Sequence, residues 1–138
     1  MKTEYRSFID AFLPEFVRGY VSAVIFTEAE ESGISENERD LFPKFYGWGD
    51  QVKECKDFLS RAIEKFPILK DYPECIDSMG IDFWLTRNGH GSGFWDGDWE
   101  DFGGIEGKDL GKGLTDLSKI FGERWFMMCD DGLGQFTK

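Results

Sequence analysis

The chain has 138 residues, 41% of them hydrophobic and 17% aromatic, with 14 phenylalanines; this supplies enough apolar surface for one domain with its own core and excludes a disordered chain. Acidic residues outnumber basic ones by 27 to 16, a net charge of −11, which repels phosphates, argues against direct DNA or RNA binding, and favours a partner protein with a basic surface. No apolar run approaches the ~18 residues of a membrane span, and the start, MKTEYRSFIDAFLPEF, lacks the apolar core of a signal peptide, so a cytoplasmic location is expected.

Residues 3–66 read as helical. Phe8, Ile9, Phe12 and Leu13 form one stripe of a short helix over 3–13. Pro14 suits the first position of a new helix better than the interior of a running one. That second helix carries Phe16, Val17, Tyr20, Val21, Val24 and Ile25 at helical spacing to about Glu28, and Gly19 within it marks a close helix contact. The acidic stretch 28–40 reads as a solvated connector, with Ser35 and Glu38 placed as a capping box. Phe42, Phe45, Tyr46 and Trp48 then make a loop too aromatic to stand free. Asp50 is placed to cap a third helix whose buried side is Val52, Cys55, Leu59, Ala62, Ile63 and Phe66. Residues 67–80 are a connector, with a turn of helix near Glu74 to Met79.

The stretch Ile81 to Asp98, IDFWLTRNGHGSGFWDGD, holds the single histidine and two of the five tryptophans. A β-prone segment followed by Asn88-Gly89 predicts a β-hairpin over 81–96 with a two-residue turn. That register sets Arg87 opposite His90, Leu85 opposite Ser92 and Phe83 opposite Phe94 on one face. The other face pairs Thr86 with Gly91, Trp84 with Gly93 and Asp82 with Trp95. The alternative is a longer glycine loop from Asn88 to Gly93. Residues 97–112 read as an irregular acidic loop. A fourth helix follows over 113–122, with Gly122 as its C-terminal cap. Residues 124–129 make a strand, Asp130-Asp131-Gly132 a turn, and Leu133 to Phe136 a last strand or tail pairing with it.

The fold class expected from these elements is α+β. A three- to four-stranded antiparallel sheet is built on the central hairpin, and about four helices pack against it in a single domain, residues 1–138.

His90 is the candidate catalytic residue, because imidazole is the side chain whose unperturbed pKa lies near neutrality; a histidine at a turn tip is the plainer reading. Asp82, Trp84, Arg87, Asn88, His90, Trp95 and Asp96 form a candidate ligand site, the two indoles acting as a stacking platform for a base or sugar. The competing reading makes this face part of the core. A metal site of His90, Asp96 and Asp98 is disfavoured, since an extended strand separates His90 from Asp96 by ~20 Å. Asp96, Asp98, Glu100 and Asp101 do not follow the calcium-loop pattern. Cys55, Cys75 and Cys129 have no disulfide or zinc spacing and read as free thiols. No phosphate-binding glycine loop is present. No cofactor and no metal are expected.

Several strings of the chain carry a resemblance. FIDAFLPEFVRGYVSAVIFTEAEE, DFWLTRNGHGSGFWD, LTDLSKIFGE and the closing CDDG resemble a family of small proteins encoded by tailed bacteriophages, whose core string runs close to DFWLTRNGHGAGFWD. The resemblance covers roughly residues 7–136. It departs in a longer acidic insert from Gly97 to Lys112, and in Cys129 where a glycine is usual. It implies a phage origin and continuity of fold rather than an activity. With the acidity, it leads to an accessory protein that acts by binding a basic host protein, as an antagonist of a host defence or nucleic-acid-handling factor. The alternative is a nucleotide-like binding or hydrolytic site on residues 82–96.

Overall fold

A computed structural model describes residues 2–34, 36–90, 92–94, 99 and 107–137. Four α-helices, α1 (Thr3–Ser32), α2 (Trp48–Lys65), α3 (Ile76–Arg87) and α4 (Gly107–Ile120), carry most of the chain. Short 3-10 segments at Glu36–Lys44, Pro67–Asp71 and Pro73–Cys75 connect them. The β structure among the described residues is one antiparallel pair, β1 (Trp125–Met128) and β2 (Gly134–Thr137), plus a single bridge from Tyr46 to Gln135.

The expected three- to four-stranded sheet is therefore replaced by a largely helical fold with a two-stranded ribbon. The central hairpin over 81–96 does not exist: residues 76–87 are helix α3. The reason lies in the spacing that begins before Ile81. Ile76, Met79, Gly80, Phe83, Trp84 and Arg87 are all buried, and they fall at helical intervals of three and four. That stripe overrides the β preference of Phe, Trp and Thr. Asn88-Gly89 ends the helix instead of turning a hairpin. Gly89 has φ 68°, its N–H donates to the Thr86 carbonyl at 3.3 Å, and the His90 N–H donates to the Leu85 carbonyl at 3.0 Å. These two bonds are a Schellman cap, which asks for the same left-handed glycine as a tight hairpin turn.

Helix α1 is continuous through Pro14, where two helices were expected. Proline there removes the bond to the Asp10 carbonyl, a cost of ~3 kcal/mol in a buried helix. Both Pro14 and Asp10 are exposed, so water reaches the freed carbonyl. Tyr5, Ile9, Phe16, Tyr20 and Val24 lie fully inside on the opposite face, and their burial, at about 1.5–3 kcal/mol for each large side chain, holds the helix together across the proline.

Helices α1 and α3 make the most extensive helix contact of the molecule. They meet through glycines: a Cβ on Gly80 would lie 1.9 Å from the Phe16 carbonyl oxygen, and one on Gly19 would lie 1.9 Å from that of Asp77. The close contact expected at Gly19 is thus present, and its partner is α3. Helix α2 closes the core with Phe58, whose ring stacks on Phe83 at 4.2 Å and faces Phe94 at 5.7 Å.

Helix α2 matches the expected third helix, though its N-cap is Gly47 and not Asp50. Helix α4 begins at Gly107, inside the region read as an acidic loop, and Gly122 beyond its end has the expected left-handed φ of 72°. The turn at Asp130-Asp131-Gly132 joins two strands as expected. Cys129 N–H donates to Leu133 at 2.8 Å, and Gly132, with φ 84°, donates to Cys129 at 3.1 Å, the pattern of a three-residue loop with a glycine bulge. Phe42 and Phe45 are buried, so the aromatic loop does pack on the core. Ser35 of the expected capping box lies outside the described residues.

Candidate functional site

The residues singled out by the sequence meet in part, but around the end of a helix and mostly indoors. Arg87, in the last turn of α3, has a fully buried side chain. Its Nε donates to the Gly122 carbonyl at 2.8 Å and its Nη2 to the Phe121 carbonyl at 3.1 Å. Its Nη1 reaches the Tyr20 hydroxyl at 3.1 Å and Glu54 Oε1 at 2.9 Å. The guanidinium also lies 4.9 Å over the Phe83 ring, a favourable seat for a cation. One side chain therefore ties α3 to α1, to α2 and to the carbonyl end of α4, where a positive charge is stabilised by the helix dipole.

The network extends on both sides. The Tyr20 hydroxyl donates to Gln51 Oε1 at 2.5 Å. Glu54 also receives Arg124, from Nε at 3.1 Å and from Nη2 in a short bond, so one carboxylate bridges two arginines. Partial burial pushes the Glu54 carboxyl up, but the bonds and charges of Arg124 and Arg87 outweigh it and hold the pKa below the usual range. Burial pushes the Tyr20 phenol up strongly despite the opposing charge of Arg87, so Tyr20 stays protonated and can donate.

Asn88 caps the helix and clamps the strand. Its Nδ2 donates to the Trp84 carbonyl at 3.0 Å, and its Oδ1 accepts the Arg124 backbone N–H at 2.8 Å. Trp84 is 1% exposed, packs edge-on against Tyr20 at 5.3 Å and donates its indole N–H to Thr27 at 2.9 Å. It is a core residue and offers no stacking face to a ligand, which corrects the platform reading. Asp82 accepts the Trp99 indole N–H at 2.6 Å. The Thr86 hydroxyl accepts the Phe94 backbone N–H at 3.1 Å, and Gly93 passes so close to it that a Cβ would lie 2.3 Å away. Trp95 and Asp96, with Asp98, Glu100 and Asp101, lie outside the described residues.

His90 is half-buried, beside a cleft of about 240 Å³ that it shares with Glu28, Asn88, Glu123 and Trp125. No hydroxyl, thiol or carboxylate bond that would make it a base pair partner is present among the described contacts. A larger open cleft, about 660 Å³, lies over Glu54 and Arg124 and is walled by Asp50, Lys53 and Asp57. Among the described residues no three histidine, cysteine or acidic side chains cluster to hold a metal. Cys55 is fully buried, and burial pushes its thiol up, leaving it unreactive.

Tyr20, Gln51, Glu54 and Arg124 were missed from the sequence. The available signal was a polar residue on an apolar stripe: Arg87 and Tyr20 fall on the buried faces of α3 and α1, and a buried arginine needs an acid. Comparison with known protein families, curated proteins and solved structures gives no match for this chain.

Proposed function

We propose that this protein is an acidic accessory protein of phage type that acts in the host cytoplasm by binding a partner protein with a basic surface, as an antagonist of a host defence or nucleic-acid-handling factor. The observation that carries the reading is how the sequence-distinguished polar groups are used. Arg87, Asn88, Trp84, Thr86 and Asp82 all direct their polar atoms into internal bonds. Side chains committed to holding helices together are not available to a substrate. What the protein turns outward is a net charge of −11, and a field of that sign attracts and orients a cationic partner. No helix of the described residues is long and apolar enough to cross a membrane.

The test is native mass spectrometry of the protein isolated from bacterial cells, followed by capture at rising salt. A retained protein of basic isoelectric point, released as salt screens the charges, is the expected result. A retained nucleotide-sized mass with no protein would overturn the reading and favour the small-molecule alternative, for which His90 beside its cleft is the candidate left among the described residues.

A further inference from the structure

We propose that the outer edge of β1 is a docking site for an extended, lysine- or arginine-bearing segment of a partner protein, which adds to the ribbon as a third strand. The inference rests on the reading above and assigns it a surface.

The edge is open on geometric grounds. The Cys129-to-Leu133 bond fixes the parity of the pairing, and with Met127 facing Gln135 and Trp125 facing Thr137, these pairs exchange the ladder bonds between the strands. Phe126 and Met128 then direct their N–H and C=O groups away from β2. The same parity holds on β2, whose outward groups at Gly134 and Phe136 bond Tyr46 at 2.9 Å each. Thus the outward groups of β2 are paired with Tyr46, whereas among the described residues no backbone group bonds the outward N–H and C=O of Phe126 and Met128, although α1 lies close to this strand.

Proteins usually protect such an edge with a charge, a proline or a bulge. The strand here is Trp-Phe-Met-Met, with none of these. Its outer face leaves Trp125 64% and Met127 54% exposed, an aromatic and a flexible thioether of the kind that accommodates varied partners. Acidic groups bracket the strand: Glu123 before it, Asp130 after it, and Glu28 across the cleft beside Trp125; Asp131 is held on the β2 side by the Tyr46 hydroxyl and the Leu133 N–H. Arg124, the cation at this end, is bound to Glu54. An extended segment that pairs with Phe126 and Met128 would set alternate side chains over Trp125 and Met127 and bring cationic residues to the carboxylates at both ends. This is strand addition, in which main-chain bonds give affinity and flanking charges give selectivity. A second copy of the chain would bring the same carboxylates against each other, and the charge of −11 opposes it.

The test uses the full chain, isotope-labelled for amide NMR, and a peptide of about ten residues alternating valine and lysine. The expected result is saturable binding, with shifts centred on the Phe126 and Met128 amides and slowed exchange of both. Methylating alternate peptide nitrogens should abolish binding, and Glu123→Lys should weaken it at least about tenfold. Met128→Pro removes an outward N–H without breaking a β1–β2 bond and should also abolish binding; if that variant does not fold, the methylated peptide and Glu123→Lys decide. Binding that shifts amides elsewhere would overturn the site but leave the basic-partner reading standing. No binding at about 1 mM peptide would overturn the site, and loss of every basic partner in the capture experiment would overturn the function separately. A concentration-dependent dimer that protects the Met128 amide would assign the edge to a second copy instead.

Discussion

Replacing Arg87 by alanine removes a cation that joins α3 to α1, to α2 and to the carbonyls just beyond α4. Its side chain is fully buried and its guanidinium serves two carbonyls, a hydroxyl and a carboxylate. Removing one member of a buried ion pair costs ~3–5 kcal/mol, because the remaining groups stay desolvated without a partner. Glu54 retains Arg124, which moderates the loss at the carboxylate. The Phe121 and Gly122 carbonyls and the cation over the Phe83 ring have no such substitute. The expected loss is therefore about 3–5 kcal/mol, a large part of the stability of a domain this size. In urea unfolding, with a slope of about 2 kcal/mol/M, the midpoint should fall by about 1.5–2.5 M. A double-mutant cycle with Glu54→Gln should give a coupling of about 1–3 kcal/mol. A loss below about 1 kcal/mol, with the slope unchanged, would refute the network as a structural hub and return Arg87 to the candidate ligand site.

The acid limb of stability offers a second check. The folded pKa of Glu54 lies below its ordinary value of 4.5, so its contribution is fully present above that value and is lost as pH falls through the folded pKa. Glu54→Gln should therefore be less stable than the parent at pH 7 and converge on it in acid; a constant gap from pH 7 to pH 3 would contradict the assignment. Gly80→Ala should destabilise by several kcal/mol or prevent folding, since its Cβ would meet the Phe16 carbonyl at 1.9 Å and neither helix can yield without repacking; thermal unfolding within about 2 °C of the parent would contradict the close crossing. In thiol labelling at neutral pH, Cys75 and Cys129, both half-buried, should react in the folded protein, and Cys55 only on unfolding. Equal rates for all three would show that α2 is not seated as described.

Helix α2 was legible because Val52 to Phe66 carries an apolar stripe, and the helical character of α1 was legible from its own stripe, although Pro14 divided it in two on paper where burial of the opposite face keeps it whole. The β1–β2 ribbon was legible from Asp131-Gly132 between two apolar runs. The central motif was not, because its strongest local signal is ambiguous. Asn-Gly demands a left-handed glycine, and a hairpin turn and a helix cap both supply one. What separates them is the residues upstream. The stripe Ile76, Met79, Gly80, Phe83, Trp84, Arg87 starts five residues before the window that reads as β, and it includes a glycine and an arginine, which a search for apolar periodicity does not count. Gly80 belongs to the stripe because α1 approaches there too closely for a side chain, and Arg87 belongs because acid and carbonyl groups await it on three other elements. Neither fact is local.

The same geometry changes what the motif's composition means. Clustered tryptophan, arginine, asparagine and histidine resemble a ligand site when laid on two strands, where half of them face outward. Wound into a helix and its cap, the same residues divide differently. Trp84 and Arg87 turn inward, Asn88 spends its amide on Trp84 and Arg124, and Gly93 threads past Thr86 at a distance that admits no side chain. His90 alone among the described candidates is left beside a cleft, and that cleft is shared with Trp125 and Glu123 at the foot of β1. The polar chemistry of the helix end and the open strand are thus joined by Asn88, whose amide oxygen fixes the Arg124 N–H one residue before β1 begins. An Asn88→Ala variant should free that N–H and loosen the start of β1, raising amide exchange at Trp125 and Phe126 while α3 stays protected. If exchange rises equally along α3, Asn88 serves the helix cap alone and the strand is held by Arg124 and Glu54.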